Sequence, residues 1–125
     1  MTLSYYHHRR VVIFHKDHLL KPDQPNAGAE TATLALARAL RNIGCNVTIA
    51  AQLEQNFNSL LDAEGFYRDG IRYLDLTASY DTTDAFLRIA AQLEGARYTL
   101  IVASKAKALL ESRQRPEIEQ RIFIS

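Results

Sequence analysis

The chain has no tryptophan, one cysteine, three prolines and five glycines in 125 residues, and each scarcity excludes something. With Cys45 alone, no internal disulfide can form, which fits a reducing compartment and makes the cytoplasm the expected location. No apolar run approaches the ~18 residues of a spanning helix. The amino end carries Tyr5-Tyr6-His7-His8-Arg9-Arg10 where a signal peptide would need apolar residues. Neither export by that route nor a membrane span is expected. Charge of one sign is also missing: 15 basic residues against 14 acidic give a net charge of +1, so there is no broad basic field to hold nucleic acid. A chain of this length buries roughly two thirds of its unfolded surface in one core. One domain is expected over residues 1–125, with 1–9 as a flexible tail.

What is present is an alternation of apolar strands and amphipathic helices. Val11-Val12-Ile13-Phe14 is a β-branched run suited to a strand covered on both faces, and it is expected at the centre of the sheet. Residues 15–27 contain Pro22, Asp23, Pro25 and Asn26 and predict an exposed connection. A long helix follows, with Ala32, Leu36, Ala39, Leu40 and Ile43 as its inward stripe and Arg38 and Arg41 outward, and Gly44 ends it. Val47-Thr48-Ile49-Ala50 is the second strand, and residues 52–65 predict a short helix burying Phe57, Leu60 and Leu61. Residues 71–76 alternate as a half-exposed strand, and Asp81 or Thr82 caps a helix through Ala85, Phe86, Ile89, Ala90 and Leu93. Residues 98–103 form another two-sided strand, 105–110 a short helix and 122–124 a last strand. Strand-helix order throughout means a parallel sheet with right-handed crossovers. The expected fold class is α/β, a three-layer Rossmann-like domain with a parallel sheet of about five strands in the order 3-2-1-4-5.

In such a sheet, ligands bind beyond the carboxyl ends of the strands, so candidate residues are sought there. Ala27, Gly28, Ala29 and Glu30 open the first helix, where free backbone N–H groups and the positive dipole end favour anions. Gly28 and its small neighbours either let a phosphate or sugar approach or simply allow the helix to pack closely on the sheet. Glu30 either offsets the dipole or accepts hydrogen bonds from ligand hydroxyls. His15, at the end of the first strand, is a candidate ligand contact or a partly buried loop residue. Ser104 and Lys105 stand at the corresponding end of the fourth strand, where Ser104 either touches ligand or caps the next helix. The three spaced glycines of a dinucleotide fingerprint and the Gly-Lys-Ser/Thr of a phosphate loop are missing, which disfavours nicotinamide chemistry and ATP hydrolysis. The hydroxyl-rich phosphate loop of a flavin-binding, flavodoxin-like protein is missing after the first strand too. His7, His8, His15 and His18 flank that strand without a cysteine or carboxylate cluster to complete a metal set. No metal or other cofactor is expected, and no catalytic triad can be read.

Taken together, Ala27-Gly28-Ala29-Glu30, the Ala/Leu helix from Thr31 to Leu40 and the turn Asn42-Ile43-Gly44-Cys45-Asn46-Val47-Thr48-Ile49 resemble the N-terminal domain of retaining GT-B glycosyltransferases of family 4. Asp69-Gly70-Ile71-Arg72-Tyr73, Tyr98 to Ser104 and Arg121 to Ser125 are similar to that domain's next strands. The resemblance implies an acceptor-side domain of a hexosyltransferase-type enzyme, with a sugar-nucleotide donor and a sugar or lipid acceptor as ligands. Gly28 matches the second of the family's two consecutive glycines, and Ala27 stands in place of the first. The family's donor-binding domain with its paired glutamates, and its histidine just past the strand that 122–124 resembles, have no counterpart here. The isolated chain is therefore expected to be inactive: a truncated product, a piece of a longer protein, or one half of a split enzyme whose partner is a separate C-terminal glycosyltransferase domain. A non-catalytic α/β module for protein interaction or small-ligand binding is the alternative.

Overall fold

Apolar strands with no polar side are most stable between two layers, and here they build a parallel sheet. The computed structural model describes residues 9–20, 28–53, 67–79, 81–103 and 106–124. Its elements are β1 (Arg10–Leu20), α1 (Gly28–Asn42), β2 (Asn46–Leu53), β3 (Tyr67–Arg68), β4 (Ile71–Asp75), α2 (Thr82–Gln92), β5 (Tyr98–Ala103), α3 (Ala106–Glu111), a 3-10 turn (Ser112–Gln114) and β6 (Ile118–Ile124). The strands lie side by side as β3-β4-β2-β1-β5-β6. β1 pairs in parallel with β2 and β5, β2 with β4, and β5 with β6. Counted along the chain, the five parallel strands have the order 3-2-1-4-5, with β1 in the middle.

Alternate side chains of these strands serve opposite layers. Val11, Ile13, Val47, Ile49, Ile71, Tyr73 and Ile101 form one core with Ala37 of α1, and Leu34, Leu36 and Leu40 pack against it. Val12, Phe14, Ala50, Leu100 and Val102 form the other core with Ala85, Phe86 and Ile89 of α2 and Ala108 of α3. The Phe14 and Phe86 rings stack with centroids 5.2 Å apart. Asp81 caps α2, its carboxylate accepting a 2.8 Å bond from the Asp84 amide.

Several boundaries differ from the sequence reading, each for a local reason. β1 does not end at Phe14: His15 pairs with Ala51, the register then breaks, and Leu19 and Leu20 rejoin the ladder opposite Gln52 and Leu53. Leu20 is fully buried, and its side chain draws the chain back into the sheet. Gln52 and Leu53 accordingly belong to β2 and not to the expected helix, whose remaining residues 54–65 lie outside the described ones. The buried stripe of α1 is turned by about one residue. Glu30, Thr33 and Ala37 are buried, while Ala32, Ala39 and Ile43 are exposed. Alanines all round this helix blur its period, and the polar Glu30 and Thr33 face inward.

A sixth strand, β3, pairs antiparallel with β4 through Tyr67↔Arg72 and Arg68↔Ile71. Asp69 and Gly70 connect them with φ of 55° and 76°, the left-handed pair that a two-residue hairpin turn requires. β6 begins at Ile118 instead of residue 122 because Tyr98 pairs with Ile118 before a bulge, and Arg121 bonds back to the 3-10 turn through Ser112 Oγ at 2.9 Å. Arg9, expected in the tail, is tied down: its backbone carbonyl accepts from Asn46 N at 2.8 Å, and its guanidinium donates to Thr99 Oγ1 and Gln120 Oε1.

Candidate functional site

Among the described residues, the central strand carries a buried polar side chain at the place where its pairing breaks. His15 is the last β1 residue in register with β2 before the irregularity, and its side chain is 1% exposed. α1 returns over the same end of the sheet and places Glu30 in its first turn, with a side chain 6% exposed. His15 Nε2 and Glu30 Oε2 are 3.5 Å apart. That is ion-pair contact, longer than a direct hydrogen bond. The carboxylate lies in the first turn of α1, at the positive end of the helix dipole. Two candidates separated by fifteen positions in the chain are thus one buried unit.

Glu30 has the first-turn place of a dipole-offsetting carboxylate, but it is buried, with Oε2 toward His15. His15 is not a partly buried loop residue but a fully buried strand residue. Gly28 is different. It is exposed at the start of α1, its φ is outside the left-handed region, and a Cβ built there would have no heavy atom within 4 Å. Close helix-on-sheet packing therefore does not explain this glycine, and neither does backbone conformation. Ala29 follows it in the first turn of α1, whereas Ala27, Ser104 and Lys105 lie outside the described residues.

A further carboxylate at this end of the sheet was not singled out from the sequence. Asp75 closes β4, and its Oδ1 accepts from Leu53 N at 3.2 Å, Thr77 N at 3.0 Å and Thr77 Oγ1 at 2.6 Å. It clamps the end of β2 to the turn that leads toward α2. The signal was the Asp75-Leu76-Thr77 sequence, an aspartate two residues before a threonine at a strand end, which is the spacing of an Asx-type turn. Among the described residues, no three His, Cys, Asp or Glu side chains converge as a metal set, and no helix is long and apolar enough to cross a membrane.

Among the described residues at this end of the sheet, the buried pair spans β1 and α1, and Gly28 leaves space beside the backbone of the first turn of α1. Compared with protein families, curated proteins and solved structures, the chain matches none.

Proposed function

We propose that this domain is the acceptor-side portion of a sugar-nucleotide-dependent glycosyltransferase, inactive by itself and completed by a donor-binding domain. The observation that supports the reading is Gly28: an exposed glycine with open space beside it, at the start of the helix that follows the central strand. A hexose or a phosphate can come within van der Waals reach of backbone there, and the first-turn amides are suited to its oxygens. Glycosyl transfer needs donor and acceptor held together, since positioning supplies a large part of the barrier reduction. One sheet end forms one wall.

Titrating the labelled chain with sugar acceptors and nucleotide sugars tests this by NMR. Amide shifts centred on Gly28 and Ala29 are expected, together with no turnover. Gly28→Ala should keep the fold and weaken that binding several-fold. Shifts elsewhere only, or glycosyl transfer by the isolated chain, would overturn the proposal. A second reading, a non-catalytic interaction module, is favoured by one observation: Ile122, Phe123 and Ile124 are 40%, 41% and 41% exposed on β6.

A further inference from the structure

The two edges of this sheet are built differently. At one edge, β3 is only two residues long, turns through Asp69-Gly70, and carries Arg68 beside Asp69 at 4.0 Å, while Arg41 of α1 donates to the Asp69 carbonyl. A short, charged edge of that kind resists pairing with another chain. At the other edge, β6 runs for seven residues and ends in three consecutive exposed apolar side chains. Its hydrogen bonds to β5 use only one side, and among the described residues no strand lies beyond it. The only cation in its second half, Arg121, is drawn inward to the Ser112 hydroxyl and to the Ser112 and Arg115 carbonyls. The last three described positions themselves carry no charged side chain.

We propose that β6 pairs with β6 of a second copy of this chain, antiparallel and two-fold symmetric about Phe123. The triplet Ile-Phe-Ile reads the same in both directions, and this is what makes a second copy the fitting occupant. In that register Ile122 faces the partner's Ile124, Ile124 faces the partner's Ile122, and Phe123 faces the partner's Phe123. A two-fold interface needs this reciprocity. Ile122 and Ile124 pair with Ile101 and Ala103 of β5, and Phe123 pairs with Val102. The isoleucines therefore extend the α1-side layer and the phenylalanines the α2–α3 side. Centring on Arg121 would oppose two guanidinium groups and centring on Glu119 two carboxylates, and of the two-fold registers only that on Phe123 sets all three exposed apolar side chains against one another. The ladder is short, so the dimer is a weak one, half-formed on the order of 100 μM.

Sedimentation of the whole chain from micromolar to millimolar concentration tests the proposal, and it should show a monomer–dimer equilibrium with no larger species. Phe123→Lys, at a position 41% exposed, should keep the circular dichroism spectrum and weaken association at least tenfold. In a Cys45→Ala background, Phe123→Cys should oxidise to a disulfide-linked dimer, because the two-fold places that position opposite itself, and Glu119→Cys should not. A monomer at millimolar concentration, a growing series of oligomers, or equal cross-linking at positions 119 and 123 would each overturn the pairing. None of these outcomes bears on the sugar titration at Gly28, so the two proposals fail separately.

Discussion

At the scale of single residues, the informative pair is His15 and Glu30. A buried carboxylate is costly without a partner, and a buried imidazole nearly so, and here the two lie in ion-pair contact at 3.5 Å at a helix start. Removing either takes away the other's ion-pair contact while it stays buried. His15→Ala and Glu30→Ala are each expected to lower stability by about 1–3 kcal/mol, with the double variant losing less than the sum by about 1 kcal/mol or more. Urea denaturation of the four proteins measures this coupling. Strict additivity would mean that the two side chains do not act on each other in solution. Thr33, buried on the same face of α1, shows that this helix accepts polar groups inward where an alanine-rich sequence suggests only apolar ones.

At the scale of elements, the β3–β4 hairpin rests on a single glycine. Gly70 has φ of +76°, and a Cβ there would stand 3.2 Å from Cδ of Arg41, the residue that reaches from α1 to the Asp69 carbonyl. Gly95, after α2, has a similar φ of +75° but open space around it. Both alanine variants carry the left-handed penalty of roughly 1 kcal/mol, and only Gly70→Ala adds a steric one. Gly70→Ala should therefore be the less stable of the two by thermal melting, and should also loosen the contact between Arg41 and the turn. Equal melting temperatures would show that the arginine side chain moves aside freely.

At the scale of the whole molecule, burial of weak acids sets the behaviour in base. Desolvation raises Tyr98, fully buried, far above its ordinary value of 10.0, with Glu117 adding to the effect and Arg115 and Arg121 opposing it. Tyr73 is raised mainly by burial against the pull of Arg38 and Arg68, and Cys45 by burial against Arg9, from an ordinary 9.0. In each case the unfolded chain gives up its proton first as the pH climbs. The folded state then binds more protons than the unfolded one, and stability falls with rising pH. The loss should be small at pH 8, begin near pH 9 and steepen above 10, as read from urea midpoints. The Tyr98 hydroxyl makes no hydrogen bond among the described residues, so Tyr98→Phe should match the parent at pH 8 and lose less stability at pH 11. An unchanged slope in that variant would assign the alkaline loss to other groups.

The sequence by itself determined the α/β class, the central place of β1 and the order of the parallel strands. Runs such as residues 11–14 and 98–103 have no polar side, so each needs a layer on both faces, and right-handed crossovers then leave few topologies. It also narrowed the α2 cap to Asp81 or Thr82, since that interaction spans three residues. Only the tertiary structure decided which face of α1 is buried, that β1 resumes at Leu19, and that His15 and Glu30 meet. Those outcomes depend on contacts between distant segments, where a neighbouring strand or helix end changes what a residue prefers. Asp69-Gly70 lay between these cases: its turn chemistry is local, but the strand it makes exists only because β4 offers an edge to pair with.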